Sequence, residues 1–141
     1  MAIFAQPERS SLGKLEFVKT ILVSIDFSEV TGLVVDEAIE LAKPSGARLV
    51  ILHVAQPPAV VADYGPPTGG LLLPVPDALG PRAARQLAKW RRIVEERRLP
   101  VSTAQLTGDP PAQLIASEAA RRSADYIVMG SHGHTAFYDL L

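Results

Sequence analysis

The chain has 141 residues, 48% of them hydrophobic, with 14 Lys and Arg set against 15 Asp and Glu. That is one domain's length with enough apolar side chains for a core, and a net charge of −1 gives no electrostatic case for nucleic acid or an anionic membrane. Cysteine is absent, which excludes a disulfide scaffold, thiolate catalysis and cysteine-ligated zinc or iron–sulfur.

Residues 1–16 lack a secretory pattern, because Glu8 and Arg9 soon interrupt a short apolar stretch. They read as a loosely held extension ahead of a domain running from residue 17 to 141. No apolar run approaches the ~18 residues of a spanning helix, so the expectation is a soluble, cytoplasmic protein.

The segment "VKTILVSID", residues 18–26, is rich in β-branched residues and predicts a buried strand ending on Asp26. Ser28 is placed to cap a helix whose apolar positions are Val30, Leu33, Val34, Ala38, Leu41 and Ala42. Pro44-Ser45-Gly46 ends that helix. "ARLVILHVA", residues 47–55, is apolar almost throughout, the pattern of a strand covered on both faces. The Pro- and Gly-rich stretch 56–81 cannot be regular structure along its whole length, and loops this long usually serve as lids or interaction segments or stay disordered.

A helical stripe returns at Ala83, Leu87, Trp90 and Val94. The Lys and Arg residues between Arg82 and Arg98 accompany Glu95 and Glu96, and read as a solvated helix face, not a nucleic-acid surface. "PVSTAQLTG", residues 100–108, is a weaker strand, and Asp109 with Pro110 and Pro111 suits a helix start. Ile115, Ala116, Ala119 and Ala120 give that helix its buried face, and "ADYIVMG" is a fourth strand. Strands alternating with helices predict an α/β fold, an open parallel sheet with helices on both faces.

In such sheets ligands bind beyond the carboxyl ends of the strands, where the strand order reverses. Gly130-Ser131-His132-Gly133 follows the fourth strand. Two glycines three apart allow a close backbone approach and positive φ, and successive N–H groups in such a turn can cradle an anion. A plain strand-to-helix turn explains the same glycines equally well. Known phosphate fingerprints do not fit: Gly13-Lys14 lacks the Walker register, Val128 stands where a dinucleotide motif needs glycine, and Met129 stands where a hydrolase elbow needs one. Asp26 is a turn or capping acid or a hydrogen-bond acceptor for a ligand. His132 and His134 lack a visible partner for metal binding, and His53, inside an apolar strand, reads as a satisfied core histidine.

Taken together, "KTILVSIDFSE", "ARLVILHVAQPP" and "DYIVMGSHGHTAFYDLL" resemble the universal stress protein family, over residues 19–141. The resemblance implies an adenine nucleotide alpha hydrolase-like fold, with a parallel sheet in the order 3-2-1-4-5 and usually a dimer. Its ATP-binding branch resembles G-x-x-G, nine further residues, then G-[ST]; Gly130 and Gly133 match the first half. Asp26 matches the acid that contacts adenosine, and Ser24 and Ile25 precede it at the strand end. Val54 matches the residue whose backbone meets adenine, and Met129 the residue before the glycine turn, in which Ser131 and His132 lie. The second half of the motif would fall beyond Leu141, as would the fourth helix and fifth strand. The expectations are therefore a C-terminally incomplete domain with strand order 3-2-1-4 and an open sheet edge. ATP is the expected ligand, with AMP, ADP and an accompanying magnesium kept open. The expected role is a homodimeric regulatory or stress-response module with no catalytic residue. The alternatives are a stress-related interaction protein that binds no nucleotide, and a slow ATPase.

Overall fold

In the computed structural model, which describes residues 2–5, 18–56 and 80–130, a single mostly parallel sheet carries helices on both faces. Its strands are β1 (Ala2–Ala5), β2 (Thr20–Ser24), β3 (Arg48–Ala55), β4 (Val101–Thr107) and β5 (Tyr126–Met129). They lie in the order β1-β5-β2-β3-β4. The β2–β3, β3–β4 and β2–β5 pairs are parallel, and β1 pairs antiparallel with β5. The predicted order 3-2-1-4 corresponds to β4-β3-β2-β5.

The difference lies at the edge expected to be open. Residues 2–5, read as part of a loosely held extension, form a strand with Ala2 opposite Met129 and Ala5 opposite Tyr126. Pairing there takes up main-chain groups that an edge strand would otherwise present to solvent. Ala2 and Phe4 also pack on the core cluster of Leu22, Ile127 and Met129.

Burial on both faces explains the continuous apolar runs. Ile21, Val23, Leu49, Ile51 and Val128 point to the face covered by α1 (Thr31–Ala42) and α2 (Pro81–Glu96). Leu22, Val50, Leu52, Ile127 and Met129 point to the face covered by α3 (Pro111–Arg121). β4 is the opposite edge and is half-buried along most of its length, which accounts for its weaker apolar pattern.

Several helix details depart from expectation. Ser28 does not cap α1: Val30 is the N-cap residue, and Ser28 sits in the turn before it, its carbonyl accepting from Thr31 N–H at 3.1 Å. Leu33 faces solvent, while Val35 and Ile39 join Val34, Ala38 and Ala42 inside. Asp109 does not cap α3: Pro110 is its N-cap residue, and the Asp109–Pro110 bond is cis. Asp109 Oδ1 accepts instead from Gln56 Nε2 at 3.3 Å. Ala120 is exposed, and the buried positions of α3 are Ala112, Ile115, Glu118 and Ala119. The basic side chains of α2 face solvent, as read from the sequence.

Candidate functional site at the switch point

The chain leaves β2 for β3 by way of α1 on one face, and reaches β5 from β4 by way of α3 on the other. The strand order reverses between β2 and β5, which makes their carboxyl ends the switch point of the sheet. Register brings these ends level, with Ser24 beside Met129 on one side and Leu52 on the other. Asp26 and Gly130 continue from these two ends.

Asp26 is exposed. Oδ1 accepts from Ser28 N–H at 2.9 Å and from the Thr31 hydroxyl at 3.4 Å. Both of these bonds fall on Oδ1. Partial burial pushes the carboxyl up, but hydrogen bonds from the Ser28 side chain and backbone, its own N–H and Thr31 outweigh it. Asp26 therefore stays below the ordinary carboxylate value. The acid thus holds the turn that leads into α1.

Gly130 itself does not use the positive φ that a glycine allows. It is small for another reason. A Cβ at this position would lie 3.1 Å from Val30 Cγ2 and 3.5 Å from Val34 Cγ2, so the end of β5 lies against the start of α1. Positive φ occurs instead at Phe27, at 61°, directly after Asp26.

Of the other candidates, Ile25 and Met129 are buried, and Ser24 and Val54 are half-buried, with Val54 packing on the α3 side. Ser131, His132, Gly133 and His134 lie outside the described residues. Among the described residues no group of three His, Asp or Glu side chains could hold a metal ion. His53 is satisfied, as expected, by Ile25 O at 3.0 Å, and its ring lies against Phe27 with centroids 4.2 Å apart. Thr31 went unnoticed in the sequence, and Phe27 stood out only as one of the residues at the end of its strand. A buried threonine in the first helical turn was a usable signal, whereas nothing marks a phenylalanine as left-handed.

A doubly wound, mostly parallel sheet with an acid and a glycine at adjacent strand ends defines the class as an open α/β domain. Within it the chain belongs to the universal stress protein family, whose sequence model matches residues 18–141. Universal stress protein MJ0531 of Methanocaldococcus jannaschii is 29% identical over 123 residues, covering 87% of this chain and 70% of that protein. A universal stress protein family member from Burkholderia pseudomallei superposes with a TM-score of 0.57 at 23% identity, over 85% of each chain. UspA from Lactobacillus plantarum gives 0.58 at 21% identity, over 84% of this chain and 80% of that one. At these identities the two structures speak for the fold. Among the described residues no helix is long and apolar enough to cross a membrane.

Proposed function

We propose that the chain is an adenine-nucleotide-binding regulatory module, with ATP seated at the switch point between β2 and β5. The observation that carries this reading is Asp26. Its carboxylate stands just beyond the carboxyl end of β2, held by bonds from Ser28 N–H and Thr31 at Oδ1, next to the strand that leads into Gly130. An ionised carboxylate accepts strong hydrogen bonds from hydroxyl or amino donors of a nucleoside. Ser24, Ile25, Val54 and Met129 stand at the ends of β2, β3 and β5 and supply main-chain groups and walls. In this reading the turn Gly130–Gly133 contacts the first phosphates. A regulatory role fits this site better than turnover, because hydrogen bonding to a nucleoside does not by itself activate water. Occupancy changes the contacts of a cytoplasmic homodimer.

Isothermal titration of ATP against the chain tests the proposal. Saturable binding is expected, weakened at least about tenfold by Asp26→Ala, the loss of one charged hydrogen bond. No heat with ATP, ADP or AMP overturns it in favour of an interaction protein that binds no nucleotide.

A further inference from the structure

β2 ends as a strand at Ser24, so Asp26 projects from chain that the regular ladder no longer holds. One further bond continues from there, Ile25 N–H to Leu52 O at 2.9 Å. Beyond it, one side chain of the neighbouring strand takes over. His53 Nδ1 lies 3.0 Å from Ile25 O. A carbonyl oxygen only accepts, so Nδ1 carries the proton. The same imidazole lies against the Phe27 ring, with centroids 4.2 Å apart and planes inclined by 32°. Phe27 has φ 61°, a conformation that a side chain bearing Cβ adopts only when its surroundings impose it.

One ring therefore grips the residue before Asp26 and the residue after it. A core histidine needs a partner for its ring N–H, but here that partner is the carbonyl next to Asp26, and the same ring also backs Phe27. Leu49 and Ile51 fill this face of β3 with aliphatic side chains, and an aliphatic residue at position 53 could pack on Phe27 but could not donate to Ile25 O.

We infer that His53 is the positioning residue of the site: through Ile25 O and the Phe27 ring it fixes the backbone that aims the Asp26 carboxylate at its ligand. The ligand in question is the nucleoside of the proposed function, so this inference rests on that reading. The geometric half of it can be read without nucleotide.

The test compares His53→Phe, which keeps a ring against Phe27 and removes the donor, with His53→Asn, which restores an N–H near the place of Nδ1. The first readout, without ligand, is hydrogen exchange of the Ser28 amide, which donates to Asp26 Oδ1. The second is ATP affinity by calorimetry. His53→Phe is expected to speed Ser28 exchange about fivefold and weaken ATP about tenfold, the scale of one hydrogen bond. His53→Asn is expected to recover part of both. Unchanged exchange in folded His53→Phe, or faster exchange with ATP affinity kept within about twofold, overturns the inference. If the unaltered chain binds no adenine nucleotide, the functional reading fails on its own, and Ser28 exchange still decides whether His53 fixes this turn. Should His53→Phe not fold, Phe27→Leu removes the ring contact from the other side, and unchanged Ser28 exchange there also overturns the inference.

Discussion

Gly130 and Val30 lie so close that a Cβ added to the glycine would sit 3.1 Å from Val30 Cγ2. This contact seats the end of β5 on the first turn of α1, the same turn that Asp26 holds through Ser28 and Thr31. The two halves of the candidate site thus share one support. Gly130→Ala is expected to destabilise the fold by about 1 kcal/mol, and Gly130→Val by about 1–3 kcal/mol, as overpacking does in a filled interior. Chemical denaturation of the double variant Gly130→Ala with Val30→Ala checks the cause. Stability recovered in the double variant assigns the cost to this contact, and strictly additive losses refute the assignment.

Asp26 titrates below its ordinary 3.8 because the hydrogen bonds it accepts outweigh the effect of its burial. A carboxylate depressed in the folded state contributes stability that is complete above the unfolded value and is lost as pH falls through the folded one. Asp26→Asn should therefore cost stability near neutral pH, with the difference from the unaltered protein constant down to about pH 5 and closing below 3.8. Denaturant midpoints measured across this range check it. A difference that widens on acidification contradicts the hydrogen-bonding pattern at Oδ1.

The sequence made the strand ends legible because parallel strands buried on both faces write themselves as apolar runs, and Asp26 closes one of them. Helix faces were harder to read. Leu33 looked internal by spacing yet is 69% exposed, whereas Glu118, absent from the apolar face read from the sequence, is buried. The departure at Glu118 has a physical source: two arginines downstream satisfy its charge, and a periodicity of apolar residues cannot register an ion pair. The edge strand β1 was missed because four residues carry too little pattern. Its evidence is the open edge of β5, which lies far away in sequence. The small residue at Gly130 was noticed for the close approach or positive φ a glycine allows, and what it meets is the close approach of Val30.

β1 gives a direct test of how the β5 edge is covered. Removing residues 2–5 exposes that edge and withdraws Ala2 and Phe4 from the cluster with Leu22, Ile127 and Met129. Hydrogen exchange is expected to accelerate at amides of Tyr126–Met129 that pair with β1, while β4, on the far edge, keeps its rates. Sedimentation should show concentration-dependent self-association of the shortened chain, since an uncovered apolar edge recruits another strand. Equal acceleration in β4 would mean general loosening and defeat the idea of a local cover.

Glu118 is the buried charge that stabilises α3. Its carboxylate accepts from Arg121 Nε and Nη2 at 2.8 and 2.7 Å and from Arg122 Nε at 2.6 Å, with the glutamate side chain only 6% exposed. The Arg121 hydrogen bonds, together with those and the charge of Arg122, outweigh burial and hold its carboxyl down at about 2, against 4.5 ordinarily. Arg121 is 66% exposed, so solvent screens its share and the full shift does not convert into stability. Glu118→Gln is expected to cost about 1–3 kcal/mol at neutral pH, because it leaves buried polar groups with weaker partners. The folded value is depressed, so the contribution is complete above 4.5 and fades as pH falls toward about 2. Thermal melting of both proteins between pH 7 and pH 2 should therefore give curves that converge on acidification. A gap that persists at the acid end would assign the loss to packing and not to the ion pair.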